Sequence, residues 1–177
     1  MAYAQPGLYI ADRSGVQLVS PTGTISTLIR SGSGTIMIGN QATSFFPDAI
    51  TIGANGNLYV SDFSPKLLIE FSPAGRVLST WTAYISPAGL STAPNGTILV
   101  ANYGTFAVDR LSGGYLVPVA TFHRGTFPSL AGVFRPSGVT AMVNGDIYAD
   151  TDGVSGGTNR GAVTLITSGD QASMLST

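Results

Sequence analysis

The chain has no cysteine, a single lysine (Lys66) and a single histidine (His123). The missing thiols exclude disulfides, thiolate catalysis and cysteine-ligated zinc. One histidine excludes two-histidine metal motifs, and a histidine-based triad would need a serine and an acid brought to it in space. No Gly-x-Ser-x-Gly elbow stands in a strand-to-helix context, so His123 reads as a loop or rim residue. Charged side chains make up only 10% of the 177 residues, and the net charge is -1. The seven arginines are scattered along the chain, without the clustered positive charge that phosphate binding needs, so nucleic acid is not an expected partner. No apolar run reaches the roughly 18 residues of a membrane span, and Met1 to Gly7 lacks the basic-then-apolar order of a signal peptide. Apolar periodicity at 3.6 residues is missing too, which removes helix and with it any phosphate loop leading into a helix.

What fills the chain is a repeat. Pro47-Asp-Ala-Ile-Thr-Ile-Gly-Ala-Asn-Gly-Asn-Leu-Tyr-Val-Ser-Asp62 aligns with Pro87-Ala-Gly-Leu-Ser-Thr-Ala-Pro-Asn-Gly-Thr-Ile-Leu-Val-Ala-Asn102. Both align with Pro136-Ser-Gly-Val-Thr-Ala-Met-Val-Asn-Gly-Asp-Ile-Tyr-Ala-Asp150, and Pro6-Gly-Leu-Tyr-Ile-Ala-Asp12 matches the second half of the unit. The glycines Gly7, Gly56, Gly96 and Gly145 lie 49, 40 and 49 residues apart, the spacing of propeller blades. Asn55-Gly56, Asn95-Gly96 and Asn144-Gly145 each separate two apolar runs, which predicts two-residue type I′ hairpins. A second hairpin follows in each unit, around Ser72-Pro-Ala-Gly75, Ser20-Pro-Thr-Gly23, Ser112-Gly-Gly114 and Ser168-Gly169.

Each unit is therefore a four-stranded antiparallel meander, and the chain reads as an all-β propeller of about four blades. Approximate blade limits are 1–30, 45–84, 85–124 and 134–177. A sandwich or an up-and-down barrel would not need one unit repeated with the same turn chemistry. The insertions Ser31 to Ser44 and Gly125 to Val133 read as inter-blade loops, and the first strand of the first unit is missing or reduced to Met1-Ala-Tyr-Ala4.

The pattern Pro-x-x-Ile/Leu-x-x-x-x-Asn-Gly-x-Leu-Tyr-Val-x-Asp resembles NHL-repeat propellers. It is also similar to the senescence-marker-protein/gluconolactonase family, with Phe46 to Ile50, Asn55 to Asp62 and Ser72 to Leu78 as the closest stretches. The resemblance implies a ring commonly of six blades, so this chain reads as an incomplete ring. It is a fragment of a longer protein with missing blades, a compact four-bladed ring, or one half of a homodimer whose second copy completes it.

Candidate site residues follow from the same alignment. The second strand of each unit ends at Asp12, Asp62, Asn102 and Asp150, which either accept loop N–H groups or line one face of the disk as a ring of oxygen ligands. The lactonase resemblance makes Asp48, at the start of an innermost strand, a channel-facing carboxylate that holds a divalent metal or acts in catalysis. The equivalent Ala88 and Ser137 carry no acid, and the family's glutamate and asparagine from other blades have no evident counterpart. Asp150-Thr-Asp-Gly153 opens a Gly-rich segment running to Gly161, in which Asp150 and Asp152 hint at a calcium loop, although Val154 and Gly161 stand where further ligands belong. No cofactor is established by these residues; calcium or zinc is the cation to test. Trp81, Tyr84, Tyr103, Phe106 and Phe122 either pack between blades or form a stacking surface.

Two functions compete. One is a binding module for a small molecule, glycan or protein partner on one face of the disk, with rigid blades carrying variable loops. The other is a metal-dependent hydrolase of lactones or related esters. A structural segment of a repeat protein is the third. The Ser/Thr-rich, lysine-poor composition favours an extracellular or periplasmic location.

Overall fold

A computed structural model describes residues 7–82, 86–122, 133–155, 158–167 and 172–176. Among them the only regular structure is β-strand. The first blade holds β1 (Leu8–Asp12), β2 (Gly15–Val19) and β3 (Ile25–Arg30). The second holds β6 (Ala49–Ile52), β7 (Leu58–Asp62), β8 (Leu67–Phe71) and β9 (Val77–Trp81). The third holds β10 (Pro87–Thr92), β11 (Ile98–Asn102), β12 (Ala107–Ser112) and β13 (Tyr115–Thr121). The fourth holds β14 (Val133–Ala141), β15 (Ile147–Ser155), β16 (Thr158–Ile166) and β17 (Ala172–Ser176). Every pairing is antiparallel between consecutive strands, so each blade is a meander.

The segment Ser31 to Ser44, expected to be a loop, instead forms a separate hairpin of β4 (Gly32–Ile38) and β5 (Gln41–Phe45). Its Ile36 and Phe45 are buried in the layer between the first two blades, and Phe45 packs edge-on against Phe71 at 5.6 Å. Ile36 is buried while Met37 beside it is 53% exposed, as the two faces of a half-buried strand require. The run Ile36-Met37-Ile38 is nevertheless apolar throughout and shows no alternation in the sequence. The expected loop at Gly125 to Val133 lies outside the described residues except for Val133, which opens β14, and so do Met1 to Ala4, Tyr84 and His123.

The repeated turn also differs from its expected form. Asn55, Asn95 and Asn144 do not adopt positive φ; only the following glycine does, at 78°, 83° and 89°. At each, the glycine N–H reaches the carbonyl three residues back, and that same residue's N–H reaches the carbonyl after the glycine. This is a type I turn closed by a left-handed glycine bulge. The asparagine acts through its side chain: Oδ1 accepts the N–H two residues on, at 3.0 Å in the turns of Asn55 and Asn95 and 3.2 Å in that of Asn144. Ser20 and Ser72 serve the second hairpins similarly, accepting from the N–H groups of Thr24 and Arg76.

Three apolar layers hold the blades together, one between each successive pair. Period-2 alternation sends Leu58 and Val60 of β7 toward the first blade and Tyr59 toward the third. Covered on both sides, β7 and β11 are buried at every position. β1 is covered on one side, so Tyr9 is buried while Leu8 and Ile10 are 63% and 38% exposed. The far side of the fourth blade is likewise uncovered, with Val163 exposed and Tyr148 half-buried. The sheets therefore fan around an axis without closing into a ring.

The innermost strands approach closely. Thr51 Oγ1 donates to Thr92 Oγ1 at 2.8 Å, since the Thr92 hydroxyl itself donates to the Ile52 carbonyl at 2.8 Å. A Cβ at Gly89 would stand 2.6 Å from the Ser137 carbonyl oxygen, a backbone atom that cannot yield cheaply. Gly89→Ala is expected to destabilise the chain by about 1–3 kcal/mol through overpacking at this point. Urea denaturation would measure it, and an unchanged midpoint would show that β10 and β14 separate freely.

Candidate functional site

The second strands of the blades all leave at one end of the fan, and the chain returns there to enter each next innermost strand. Asp62 ends β7, and its Oδ2 accepts the Phe46 N–H at 2.6 Å. Asn102 ends β11 in the same position, and its Oδ1 accepts the Ser86 N–H at 3.0 Å. Both thus tie the incoming segment to the outgoing strand. Asp48 closes the loop in the opposite sense, its Oδ2 accepting the Phe63 N–H at 2.6 Å. Asp12 accepts from the N–H and hydroxyl of Ser14, each at 2.7 Å, and fixes the β1–β2 turn. These contacts give all four residues a structural task, whatever else they do.

Asp150 does not share that position. Counting from the Asn-Gly turn, Thr151 is the counterpart of Asp62 and Asn102, and it sits opposite Pro136 as Asn102 sits opposite Pro87. Thr151 is buried, with its hydroxyl donating to the Ala162 carbonyl at 3.2 Å. Asp150 is one residue early, so period-2 alternation turns it to the uncovered side of the fourth blade, where its carboxylate lies against Gly138. Asp152 shares that side and is exposed. The segment from Asp150 to Gly161, expected to be a loop, is mostly strand: Asp150 pairs with Val163 and Asp152 with Gly161 across β15 and β16. Strand pairing holds these two carboxylates along an extended edge rather than wrapping them round an ion. Among the described residues no group of three or more His, Asp or Glu side chains gathers as a metal site.

Electrostatics single out Asp62. It is fully buried, one carboxylate oxygen has no hydrogen-bond partner, and Asp48 lies close enough to repel its charge. Burial pushes its pKa up to about 6, against the Phe46 hydrogen bond, and the Asp48 charge adds to the rise. Asp109, buried beneath Asn102 and accepting from its Nδ2 at 2.7 Å, is also raised by burial.

Beside these acids stands a cluster of rings and one cation. Phe63 and Tyr103 follow Asp62 and Asn102 directly, so the repeat sets them side by side, edge to face at 5.5 Å. From β14, the Arg135 guanidinium lies 4.7 Å from the Tyr103 ring centre and 4.9 Å from that of Phe106. Lys66 and Phe106, equivalent residues just before β8 and β12, are the non-glycine residues with positive φ among those described, at 61° and 57°. Backbone of that kind is kept where surrounding contacts over-determine it, often at functional sites. Of the five aromatic candidates, Tyr103 and Phe106 join this cluster. Trp81 instead stacks on Tyr59, 6.4 Å between ring centres, and Phe122 is buried in the layer between the third and fourth blades. Phe63 and Arg135 were not among the sequence candidates. The alignment signal for Phe63 was its place immediately after Asp62, and nothing local marks Arg135.

No protein-family model matches the sequence, and no curated protein matches it. Solved structures do. Virginiamycin B lyase from Staphylococcus aureus matches with a TM-score of 0.54 at 11% identity, over 93% of this chain and 64% of its own. A gluconolactonase-like protein matches with a TM-score of 0.55 at 14% identity, over 89% of this chain and 65% of its own. A protein from Lactobacillus plantarum matches with a TM-score of 0.61 at 17% identity, over 99% of this chain and 55% of its own. The class is thereby defined: an all-β propeller. The chain spans a little under two thirds of the length of the first and second of these structures and about half of the third, as a partial propeller does.

The Asp62 environment predicts a pH effect. An unfolded aspartate titrates near 3.8 and the folded one near 6, so between those values the folded state holds more protons. Stability attributable to this group is therefore present at low pH and is lost as pH rises from about 4 to 6. Asp62→Asn keeps an oxygen for the Phe46 N–H, as Asn102 does for Ser86, and carries no such slope. Its melting temperature should match the parent at pH 4 and exceed it at pH 7; a parent-like decline across that interval would refute the burial argument.

Proposed function

We propose that the chain is a propeller binding module that takes a small molecule, glycan or protein segment on the face bearing Phe63, Tyr103, Phe106 and Arg135. The observation that carries this reading is the guanidinium held against two rings beside a third, on turns the blades hold rigid. Rings fixed in this way present flat apolar area at little entropic cost, and the stacked guanidinium keeps its N–H edge for an acceptor on the ligand. The adjoining Asp48 is exposed and adds acceptor capacity. Screening glycan and fragment libraries by amide chemical shifts should move residues 63–66 and 103–106 together. Tyr103→Ala and Arg135→Ala should each weaken the selected ligand roughly tenfold or more. Ligands that map elsewhere, or that bind both variants unchanged, would reject the face.

A hydrolase is the second reading, favoured by the raised pKa of Asp62 next to Asp48, since perturbed carboxylates gather where acid–base chemistry is done. In it Asp48 would hold a calcium or zinc ion that polarises an ester carbonyl. Lactone hydrolysis should then depend on the added cation and fall at least about a hundredfold in Asp48→Ala. Equal background rates in parent and variant would end this reading.

A further inference from the structure

The opposite end of the fan carries a second feature, visible by comparing one blade junction with the next. Between the second and third blades the groove at the Asn-Gly turns is plugged by the protein itself. Tyr59 stacks on Trp81, whose Nε1 donates to the Gly114 carbonyl at 2.8 Å. Glu70 lies at the centre, with Oε1 accepting from Asn57 Nδ2 at 2.8 Å, Tyr59 Oη at 2.9 Å and Asn55 Nδ2 at 3.1 Å. Gly53 makes room: a Cβ there would stand 2.6 Å from the Tyr59 ring.

One junction on, the rings and the carboxylate of the plug are all exchanged. Leu99 pairs with Arg110 as Tyr59 pairs with Glu70, so Leu99 takes the place of the tyrosine and Arg110 that of the glutamate. Ala120 faces Val108 as Trp81 faces Leu68, and Ala93 holds the position of Gly53, whose freedom is not needed without a ring. The result is a cleft of about 440 Å³ between the third and fourth blades, with Leu99, Val119 and Ile147 in its walls. That volume is within the usual range for small-molecule pockets, roughly 300–1,000 Å³. Arg110, exposed, lines it, and among the described residues no acidic one does. Asn95, retained from the turn, adds an amide NH₂, and Thr97, which stands where Asn57 does in the preceding blade, adds a hydroxyl. Asn95 Oδ1 is already engaged by the Thr97 N–H, so the asparagine faces the cleft as a donor.

We propose that this cleft binds a small monocarboxylate with a flat apolar body, which restores in trans the ring-and-carboxylate plug that the neighbouring junction builds from Tyr59, Trp81 and Glu70. The body lies against Leu99, Val119 and Ile147, and the carboxylate meets Arg110 in a paired, charge-assisted contact. The site is separate from the face proposed above, since it sits at the other end of the second strands.

Phenylacetate is the probe, with neutral 2-phenylethanol as its control. Titrated into the full chain, phenylacetate should shift the amides of Asn95, Gly96, Thr97 and Gly145, and 2-phenylethanol should leave them in place. Arg110→Gln should weaken binding at least tenfold, with the rest of the amide spectrum unchanged as a check on folding. Raising the salt should weaken binding to the parent chain, a test that needs no variant. The triple variant A93G/L99Y/R110E, which restores the tyrosine and glutamate of the plug, should abolish the shifts. No shift at millimolar phenylacetate, equal response to the alcohol, or undiminished binding in Arg110→Gln would each overturn the proposal.

Discussion

The structure depends on apolar burial between sheets that are individually too thin to fold. A four-stranded meander has two apolar faces and nothing of its own to cover them. Leu58 and Val60 are shielded by the first blade and the β4–β5 hairpin, Tyr59 by the third blade. Stability is therefore a sum over neighbouring junctions, as in other repeat architectures. The same constraint explains the exposed Leu8, Ile10 and Val163 at the two outer faces.

Rigid junctions free the ends of the strands for other work. At one end, Asp62 and Asn102 serve the same local purpose: each carries the N–H of an entering strand. Using a carboxylate where an amide suffices costs stability at neutral pH, because the buried charge is poorly solvated. At the other end the Asn-Gly turns are nearly invariant between blades, while the side chains beside them change. The change from Tyr59 and Glu70 to Leu99 and Arg110 alters a junction from filled to open and from anionic to cationic with no change in backbone plan.

Much of the fold was legible because a repeat is a redundant message. Three copies of Pro-to-Asn-Gly spacing fixed blade number and strand pairing within a few residues. The same redundancy misled at the details. Asn-Gly suggests positive φ at both residues, yet the asparagine is there for its side-chain hydrogen bond, which a propensity rule does not distinguish. Asp150 looked like Asp62 by residue type but fell one position short, and in a strand one position is the other face. The β4–β5 hairpin leaves little signal in the sequence because its apolar residues are flanked by glycine, serine and threonine and do not alternate.

From sequence alone, local turn chemistry and alternation determined the meanders and their order, since these are set by neighbours in the chain. Tertiary structure decided what meets across blades. Phe63, Tyr103 and Arg135 lie tens of residues apart, and the Arg110 cleft exists only because two sheets face each other there. Contacts of that kind depend on how one sheet is rotated against the next, a quantity that no run of adjacent residues encodes.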